Sequence, residues 1–263
     1  MSATILHGDC LQVMRDLSDS SVDCFICDLP YGCLSSVGNK KASCSWDIKI
    51  DLVEFWKQVK RLAKNDHVPV LMFCNTKFGA ELIASNPPWF RYDLVWNKQF
   101  GVSFLSANKM PMRSHEMIYV FSKKGAYYQR VDVKVEGKVA YTPIGGGKGV
   151  SAHYGADRGD RSGKAFGEGG MRAPLSVINV KSKVNTAREA RHPTEKPHAL
   201  YEWLLTRYCP AGGTVLDPTA GSFNSVEVAQ RLGLHGIGIE MDPTFFANAQ
   251  TRLGYADQIR HIE

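Results

Sequence analysis

Short apolar runs alternate with amphipathic stretches over residues 1–125 and again over residues 191–263. A short apolar run bounded by polar or turn residues is typical of a buried strand, whereas apolar positions three and four apart indicate a helix. The pattern predicts strands at 4–6, 22–27, 68–74, 92–96, 117–121, 214–216 and 236–239. It predicts helices at 11–17, 52–62, 77–84, 197–208, 225–231 and 243–253.

Strands that alternate with helices predict an α/β fold with a doubly wound, mostly parallel sheet. A chain of 263 residues fits one large domain of this kind, or a core with a small insertion. The alternation of apolar runs and amphipathic stretches is absent from residues 126–190. We therefore expect 1–125 and 191–263 to form two halves of one core, with 126–190 inserted between them.

The insertion differs from the rest of the chain in charge and in glycine content. Residues 123–191 hold fourteen Lys or Arg and six Asp or Glu, a net charge of +8, which leaves −2 for the remainder. Ten glycines lie between residues 145 and 170, and this density favours a segment that is partly disordered without a partner. A basic insertion on a near-neutral body is typical of phosphate contact. The alternative is a solvated loop that binds nothing.

The seven cysteines and the lack of a long apolar run indicate a soluble, intracellular protein. The residues following Met1 do not resemble a signal peptide. Cys24 and Cys27 have the spacing of a zinc-binding pair, but both lie in a predicted strand, where residues three apart face opposite sides. We therefore expect no metal site there.

Residues 217–222, which we call the glycine turn, follow a predicted strand and precede a helix. The small residues of this turn allow a ligand to approach the backbone at the carboxyl edge of the sheet. Glu240 comes 23 residues after Asp217, at the end of the next strand, where an acid can bind ribose hydroxyls. Asp217 disfavours a pyrophosphate and favours a cationic group. The nucleoside S-adenosylmethionine, with its sulfonium and ammonium, fits both acids. The alternatives are an ordinary βαβ unit with a glycine turn and, less consistent with Asp217, a dinucleotide-dependent reductase.

Residues 28–31, Asp-Leu-Pro-Tyr, end an earlier strand and are called the DLPY turn below. Pro30 restricts Leu29 to an extended conformation, which fixes the direction of the Leu29 carbonyl. Asp28 and that carbonyl can accept both hydrogens of an exocyclic amine, while Tyr31 can stack on a planar base. The turn therefore predicts a pocket for a nucleobase, although a simple proline turn would look the same.

The two turns, in this order, resemble the β class of DNA amino-methyltransferases, in which an Asp-Pro-Pro-Tyr motif precedes the cofactor motif. Shorter segments that also resemble this family are 7–9 (HGD), 95–98 (VWNK), 114–117 (SHEM) and 192–197 (HPTEKP). Two departures concern the turns themselves. Leu29 replaces the first proline, and Thr219 replaces an aromatic residue whose place Phe223 is a candidate to fill.

The resemblance implies an S-adenosylmethionine-dependent DNA methyltransferase that acts on a base flipped out of the duplex. An acid at the first motif position favours adenine N6 over cytosine N4. A methyltransferase for RNA or a free nucleotide, and a catalytically inactive DNA-binding homologue, remain alternatives. The resemblance allows a homodimer without requiring one.

Three groups of residues are assigned to the expected sites. The catalytic group is Asp28, Leu29, Pro30 and Tyr31. The cofactor group is Asp9, Thr194, Lys196, Asp217, Thr219, Ala220, Gly221, Ser222, Glu240 and Met241. The group expected to hold the DNA backbone is Lys98, Arg113, Lys148, Arg158, Arg161, Lys164 and Arg172.

Overall fold

A computed structural model describes residues 3–32, 49–102, 104–134, 171–182 and 195–254. The helices are α1 (Cys10–Asp16), α2 (Leu52–Leu62), α3 (Thr76–Ser85), α4 (His198–Tyr208), α5 (Asn224–Arg231) and α6 (Pro243–Leu253). The strands are β1 (Ala3–His7), β2 (Cys24–Cys27), β3 (Val70–Cys74), β4 (Phe90–Val102), β5 (Arg113–Phe121), β6 (Val133–Lys134), β7 (Met171–Arg172), β8 (Val177–Asn179), β9 (Thr214–Asp217) and β10 (His235–Glu240). Each strand and helix predicted from the apolar pattern has a counterpart.

Eight strands form one sheet in the order β1-β10-β9-β2-β3-β5-β4-β8. Neighbouring strands pair in parallel except for β5, which runs antiparallel to both β3 and β4. The predicted fold class, a mostly parallel doubly wound α/β sheet, is confirmed. Because β9, β2 and β3 are central and parallel, the loops that follow them leave the sheet at the same edge.

The sheet separates two apolar layers, and the central strands contribute to both. Cys27 packs in the layer that contains α1 and α2, whereas Cys24 packs in the layer that contains α4. The two cysteines therefore face opposite sides of the sheet, as expected for residues three apart on a strand. Helix α2 shows how a layer is assembled, because Asp51 caps its first turn and Phe55 and Val59 are fully buried against the sheet.

The structure departs from the predicted domain boundaries at one strand. Strand β8 lies inside the stretch assigned to the insertion, yet it pairs with β4 at the end of the main sheet. The chain divides into a unit of residues 1–129 with 176–263 and a unit of residues 130–175. Within the second unit, β6 pairs antiparallel with β7. In the described ranges, no helix has the length and apolarity to cross a membrane.

Candidate active site

The DLPY turn leaves the carboxyl end of β2 in the middle of the sheet. Leu29 is 2% exposed and anchors the turn in the apolar layer beneath it. The Tyr31 ring stacks on Phe78 of α3, with ring centroids 5.1 Å apart and an interplanar angle of 28°. The hydroxyl of Tyr31 donates to Asp28 Oδ1 at 3.0 Å or to Glu116 Oε1 at 2.8 Å. The ring is therefore held both by its face and by its hydroxyl.

Two acids and two lysines surround this turn. Lys196 Nζ donates to Asp28 Oδ2 at 2.6 Å and lies 3.4 Å from Glu116 Oε1. Lys98 Nζ lies 2.9 Å from Glu116 Oε2. All four side chains are largely shielded from solvent, from 6% exposed for Lys196 to 21% for Asp28. A buried ion pair is tolerated only when each charge is well compensated, and here the charges balance.

The surroundings shift the pKa values of these groups in different directions. Burial raises the pKa of Asp28, the Lys196 ammonium opposes this, and the charge of Glu116 adds to it. Burial also opposes ionisation of Glu116, but Lys196 and Lys98 outweigh it and lower the pKa of Glu116 to about 2. The pKa of Lys196 is depressed by burial and raised on balance by the two acids. Glu116 and Lys196 are therefore charged at any physiological pH.

The glycine turn follows β9, the parallel neighbour of β2. Gly221 has a φ of +52°, and its backbone N–H donates to Glu240 Oε2 at 2.8 Å. The backbone N–H of Ala220 donates to the Ile239 carbonyl at 2.8 Å, which ties the turn to β10. Ala220 and Ser222 are buried, while Thr219 and Gly221 are partly exposed. The turn thus presents backbone and small side chains at the carboxyl edge of the sheet.

Asp217 is only 2% exposed, so its carboxylate is almost completely shielded from solvent. Its carboxylate accepts from the Ser225 hydroxyl and from the Thr219 backbone N–H. Burial raises the pKa of Asp217 to about 7 despite these donors, and the charges of Asp28 and Glu240 contribute in the same direction. A buried carboxylate with neutral donors gains most from a cationic neighbour.

Glu240 and Asp9 stand at the ends of adjacent strands, because His7 pairs with Glu240 across β1 and β10. Glu240 accepts from the backbone N–H groups of Gly221 and Asp242, and burial raises its pKa. Asp9 is exposed and caps α1 by accepting from the Gln12 backbone N–H at 3.0 Å. Met241 is 51% exposed, directly after Glu240.

The two turns meet at one edge of the sheet, and Lys196 links them. Parallel pairing sets Cys24 opposite Val215 and Phe25 opposite Leu216, so β2 and β9 end side by side. Lys196 reaches Asp28 with its ammonium, while its backbone carbonyl accepts from Asn224 Nδ2, at the start of α5, at 3.0 Å. The acids of the two turns therefore lie in one site.

Phe223 does not form the aromatic wall for which it was a candidate. It is fully buried, with its ring in a small apolar cluster that includes Val226 and lies beneath the turn. A Cβ added to Gly238 would come within 2.7 Å of the Phe223 ring, so the glycine makes room for it. Phe223 also has a φ of +57°, rare for a bulky residue. Its side chain is held in the core and offers no face to a ligand.

The residues expected to hold DNA fall into three places. Lys98 lies at the DLPY turn, 18% exposed and paired with Glu116, so its ammonium is already engaged. Arg113 begins β5 and donates to Thr76 Oγ1 at 3.2 Å. Arg172 belongs to β7 of the second unit. The remaining predicted site residues, which lie outside the described ranges, are Lys148, Arg158, Arg161, Lys164 and Thr194.

Some residues of the site were not singled out from the sequence. Glu116 is the main one, although it belongs to the SHEM segment that resembles the family. Phe73 on β3 lies under the Lys196 ammonium, with 5.1 Å between Nζ and the ring centroid. Ser225 supplies a donor to Asp217 from the first turn of α5. Only Glu116 had a signal in the sequence, because the apolar pattern does not distinguish a ring beneath a cation from any other core ring.

Comparison with known proteins identifies the family. A sequence model described as DNA methylase, for the N6 and N4 class, matches residues 22–251. The chain belongs to the N6/N4 DNA methylase family. It is an S-adenosylmethionine-dependent DNA methyltransferase, as its resemblance to that family predicted.

Individual relatives and structures extend the comparison. DNA adenine methyltransferase YhdJ of Escherichia coli K12 is 26% identical over 260 residues, which cover 96% of this chain and 83% of YhdJ. The crystal structure of the M1.HpyAVI–SAM complex has a TM-score of 0.61 at 19% identity and covers 96% of this chain and 99% of that one. The cytosine-N4-specific PvuII DNA methyltransferase has a TM-score of 0.65 at 14% identity, over 100% of this chain and 89% of that one. The two structures show that this methylase shares their fold.

Proposed function

We propose that this methylase transfers a methyl group to N6 of adenine in DNA, with the DLPY turn as the site of the base amine. The observation that carries the proposal is the Asp28 carboxylate, held between Lys196 and Tyr31 at the edge of the sheet. The similarity to YhdJ, which is named an adenine methyltransferase, supports adenine. The fold shared with the PvuII enzyme keeps cytosine N4 as the alternative.

The protein residues at the glycine turn suit S-adenosylmethionine, which supplies an electrophilic methyl group. Asp217 is a buried carboxylate with neutral donors, and a sulfonium or ammonium nearby would favour its ionised form. Glu240 keeps lone pairs for ribose hydroxyls beside the backbone N–H groups that it accepts. Asp9, at the end of the neighbouring strand, is assigned to the adenine ring, and Lys196, Thr194 and Met241 to the rest of the cofactor site.

The DLPY turn is proposed to receive a base that has left the duplex, at a cost of about a few kcal/mol. Tyr31 stacks on the base with the ring face turned away from Phe78. Asp28 and the Leu29 carbonyl accept the two amine hydrogens and stabilise the positive charge that grows on the amine nitrogen. The amine nitrogen would take the methyl group as the S–CH3 bond of the bound cofactor breaks, with the bonding pair staying on sulfur, and the methylated nitrogen would then lose one proton to solvent. Positioning of the amine supplies much of the rate.

The DNA backbone is assigned to Arg113, Arg172 and the basic residues 148–164. Lys98 is no longer assigned to the DNA backbone, because its ammonium already pairs with the buried Glu116 and is therefore less able to bind a phosphate. Net positive charge over residues 123–191 supports the assignment.

Mass spectrometry of nucleosides from treated DNA tests the proposal. Random-sequence DNA is incubated with the protein and S-adenosylmethionine, digested, and compared with DNA treated with the isosteric Asp28→Asn variant. We expect N6-methyldeoxyadenosine from the wild type and almost none from the variant. N4-methyldeoxycytidine alone would contradict the adenine assignment, and methylation only of an RNA competitor would contradict DNA as the substrate.

A further inference from the structure

Asp28 is crowded by donors before any base arrives. Its Oδ2 accepts from the Lys196 ammonium at 2.6 Å, and its Oδ1 lies 3.0 Å from the Tyr31 hydroxyl. A base amine needs a lone pair on the same carboxylate. If both donors turned fully toward Asp28, the amine would compete with an ammonium and a phenol for one group.

Glu116 offers both donors a second acceptor. The Tyr31 hydroxyl has one hydrogen, and Glu116 Oε1, at 2.8 Å, is nearer to it than Asp28. The Lys196 ammonium lies 3.4 Å from the same oxygen. Since Tyr31 can donate to only one carboxylate at a time, a hydrogen bond to Glu116 frees Asp28 Oδ1.

Glu116 is itself fixed in place from the opposite side. It lies on β5 opposite Trp96 of β4, and its second oxygen is 2.9 Å from Lys98 Nζ. That ammonium lies 5.0 Å from the centroid of the Trp96 ring, a cation–π distance. Lys98 therefore holds Glu116 Oε2 and leaves Oε1 facing Tyr31 and Lys196.

We propose that Glu116 is a positioning residue for methyl transfer, which takes the Tyr31 hydrogen and shares the Lys196 ammonium so that Asp28 keeps an open lone pair for the base amine. The inference rests on the proposed role of Asp28 and adds a residue that touches neither the base nor the cofactor. Lys98 supports Glu116 in the same arrangement.

The charge of Glu116 also contributes, after burial and the opposing Lys196 ammonium, to the pKa of Asp28 and so to the pH at which Asp28 ionises. Asp28 faces Lys196 from the segment before α4, Glu116 from β5 and Tyr31 from its own turn. Among the described residues, the other titratable groups that interact with its charge are Asp217 at the end of β9, Tyr201 on α4, Cys74 on β3 and Cys27 on β2. The negative charge of Glu116 raises the pKa of Asp28. Removing that charge lowers the pKa of Asp28, so the acid limb of the pH–rate profile moves to lower pH.

Two variants separate the charge of Glu116 from its hydrogen bond. Glu116→Gln keeps an acceptor for Tyr31 but removes the charge, whereas Glu116→Ala removes both. In single-turnover methylation we expect about a tenfold loss for Glu116→Gln and about a hundredfold loss for Glu116→Ala, the scale of a misplaced reacting group. Affinity for S-adenosylmethionine and for DNA stays unchanged. The acid limb shifts to lower pH in Glu116→Gln.

A double-mutant cycle with Tyr31→Phe tests whether Glu116 acts through the hydroxyl. In the Tyr31→Phe background, the hydroxyl that would turn to Asp28 when Glu116 is removed is absent. Glu116→Ala should therefore lower the rate less in that background than in the wild type, and the effects of the two substitutions should not add. Glu81→Gln is the matched control, because Glu81 pairs with Lys49 at 2.7 Å on the surface, and its rate should equal the wild type. Melting temperatures identify any variant that fails to fold. If Glu116→Ala does not fold, the test of the proposal rests on Glu116→Gln, which preserves the shape of the side chain.

The proposal is overturned if the two effects add, if the acid limb of Glu116→Gln stays where it is, or if its rate matches that of Glu81→Gln. Asp28→Asn is measured in parallel. If Asp28→Asn methylates normally, the proposed role of Asp28 fails as well. If Asp28→Asn is inactive while the Glu116 variants behave as wild type, only the positioning role fails.

Discussion

The DLPY turn and the glycine turn share one edge of one sheet, yet they compensate charge differently. At the DLPY turn, Asp28 and Glu116 are matched by the ammonium groups of Lys196 and Lys98. At the glycine turn, in the part of the chain that the structure describes, Asp217 and Glu240 accept only from hydroxyl and backbone N–H donors. One pocket is electrically balanced, and the other keeps an excess of negative charge.

This difference corresponds to the charges of the two proposed ligands. A nucleobase amine is neutral, so a balanced pocket can bind it with hydrogen bonds and does not require a buried countercharge. S-adenosylmethionine carries a sulfonium and an ammonium besides its carboxylate, and its two cations would compensate Asp217 and Glu240, whose hydrogen-bond donors among the described residues are all neutral. Burial raises the pKa of Asp217 to about 7 and the charges of Asp28 and Glu240 add to this, so a nearby cation would favour the ionised carboxylate. In the proposed site, charge balance rather than the mere presence of acids distinguishes the base pocket from the cofactor pocket.

The largest expected effect comes from removing the acceptor at the balanced turn. Asp28→Ala should lower the rate of methyl transfer by about 10²–10³-fold, because a preorganised group that stabilises developing charge is removed. Binding of S-adenosylmethionine should remain at the wild-type level, since Glu116 is still present to pair with Lys196. Single-turnover kinetics and isothermal calorimetry check the two statements. A large loss of cofactor affinity would show that Asp28 also contributes to the cofactor site.

A smaller effect is expected from the unbalanced turn, and it depends on pH. Asp217 has its pKa raised to about 7, so it is mostly protonated below that pH and ionised above it. A cation binds better to the ionised form. Affinity for S-adenosylmethionine should therefore increase by about tenfold from pH 6 to pH 8, and Asp217→Asn should abolish this increase.

The matched control for that measurement is Asp23→Asn. Asp23 is also buried, and it accepts from the Thr214 backbone N–H at 2.9 Å, at the opposite end of the same strand β9. Its replacement should leave the pH dependence of cofactor binding intact. Equal pH dependence in wild type and Asp217→Asn would place the titrating group elsewhere.

The smallest expected effect is on the affinity for DNA phosphates, to which the DLPY turn, with its balanced charges, should not contribute. Replacing the four cations Lys148, Arg158, Arg161 and Lys164 by Gln should reduce the slope of log affinity against log salt by about 0.9 for each phosphate that is no longer neutralised. Lys57→Gln with Lys60→Gln, on α2, is the control. Filter binding over a salt series measures both. An unchanged slope in the quadruple variant would remove this segment from the DNA interface.

Most of the fold was predictable because the core strands and helices carry strong periodic signals. Strand β8 was missed, since Val177–Asn179 is short and sits in a basic stretch without periodicity. The continuation of β4 to Val102 was also missed, because the polar residues Asn97, Lys98 and Gln99 interrupt the apolar run. Pairing with β5, which is tertiary information, sustains the strand beyond them.

The site was predictable as far as local motifs reach. The DLPY turn and the glycine turn are each contiguous in sequence, and the structure brings them to one edge. The partners that set their charges are distant: Glu116 is 85 residues from Tyr31, and Lys196 is 168 residues from Asp28. Phe223 was misjudged for the same reason, because only packing against Gly238 reveals where its ring points. Contacts between residues so far apart in the sequence cannot be predicted from motif spacing alone.

The position of Lys196 has a consequence for how the enzyme responds to its two substrates. Its main chain is tied to the first residue of α5 and its side chain to the neighbouring pocket. A ligand that moved the start of α5 would therefore also displace the residue that donates to Asp28 in the other pocket. Thermodynamic linkage makes such communication mutual, so whatever factor the methyl donor contributes to duplex affinity, the duplex returns to the donor.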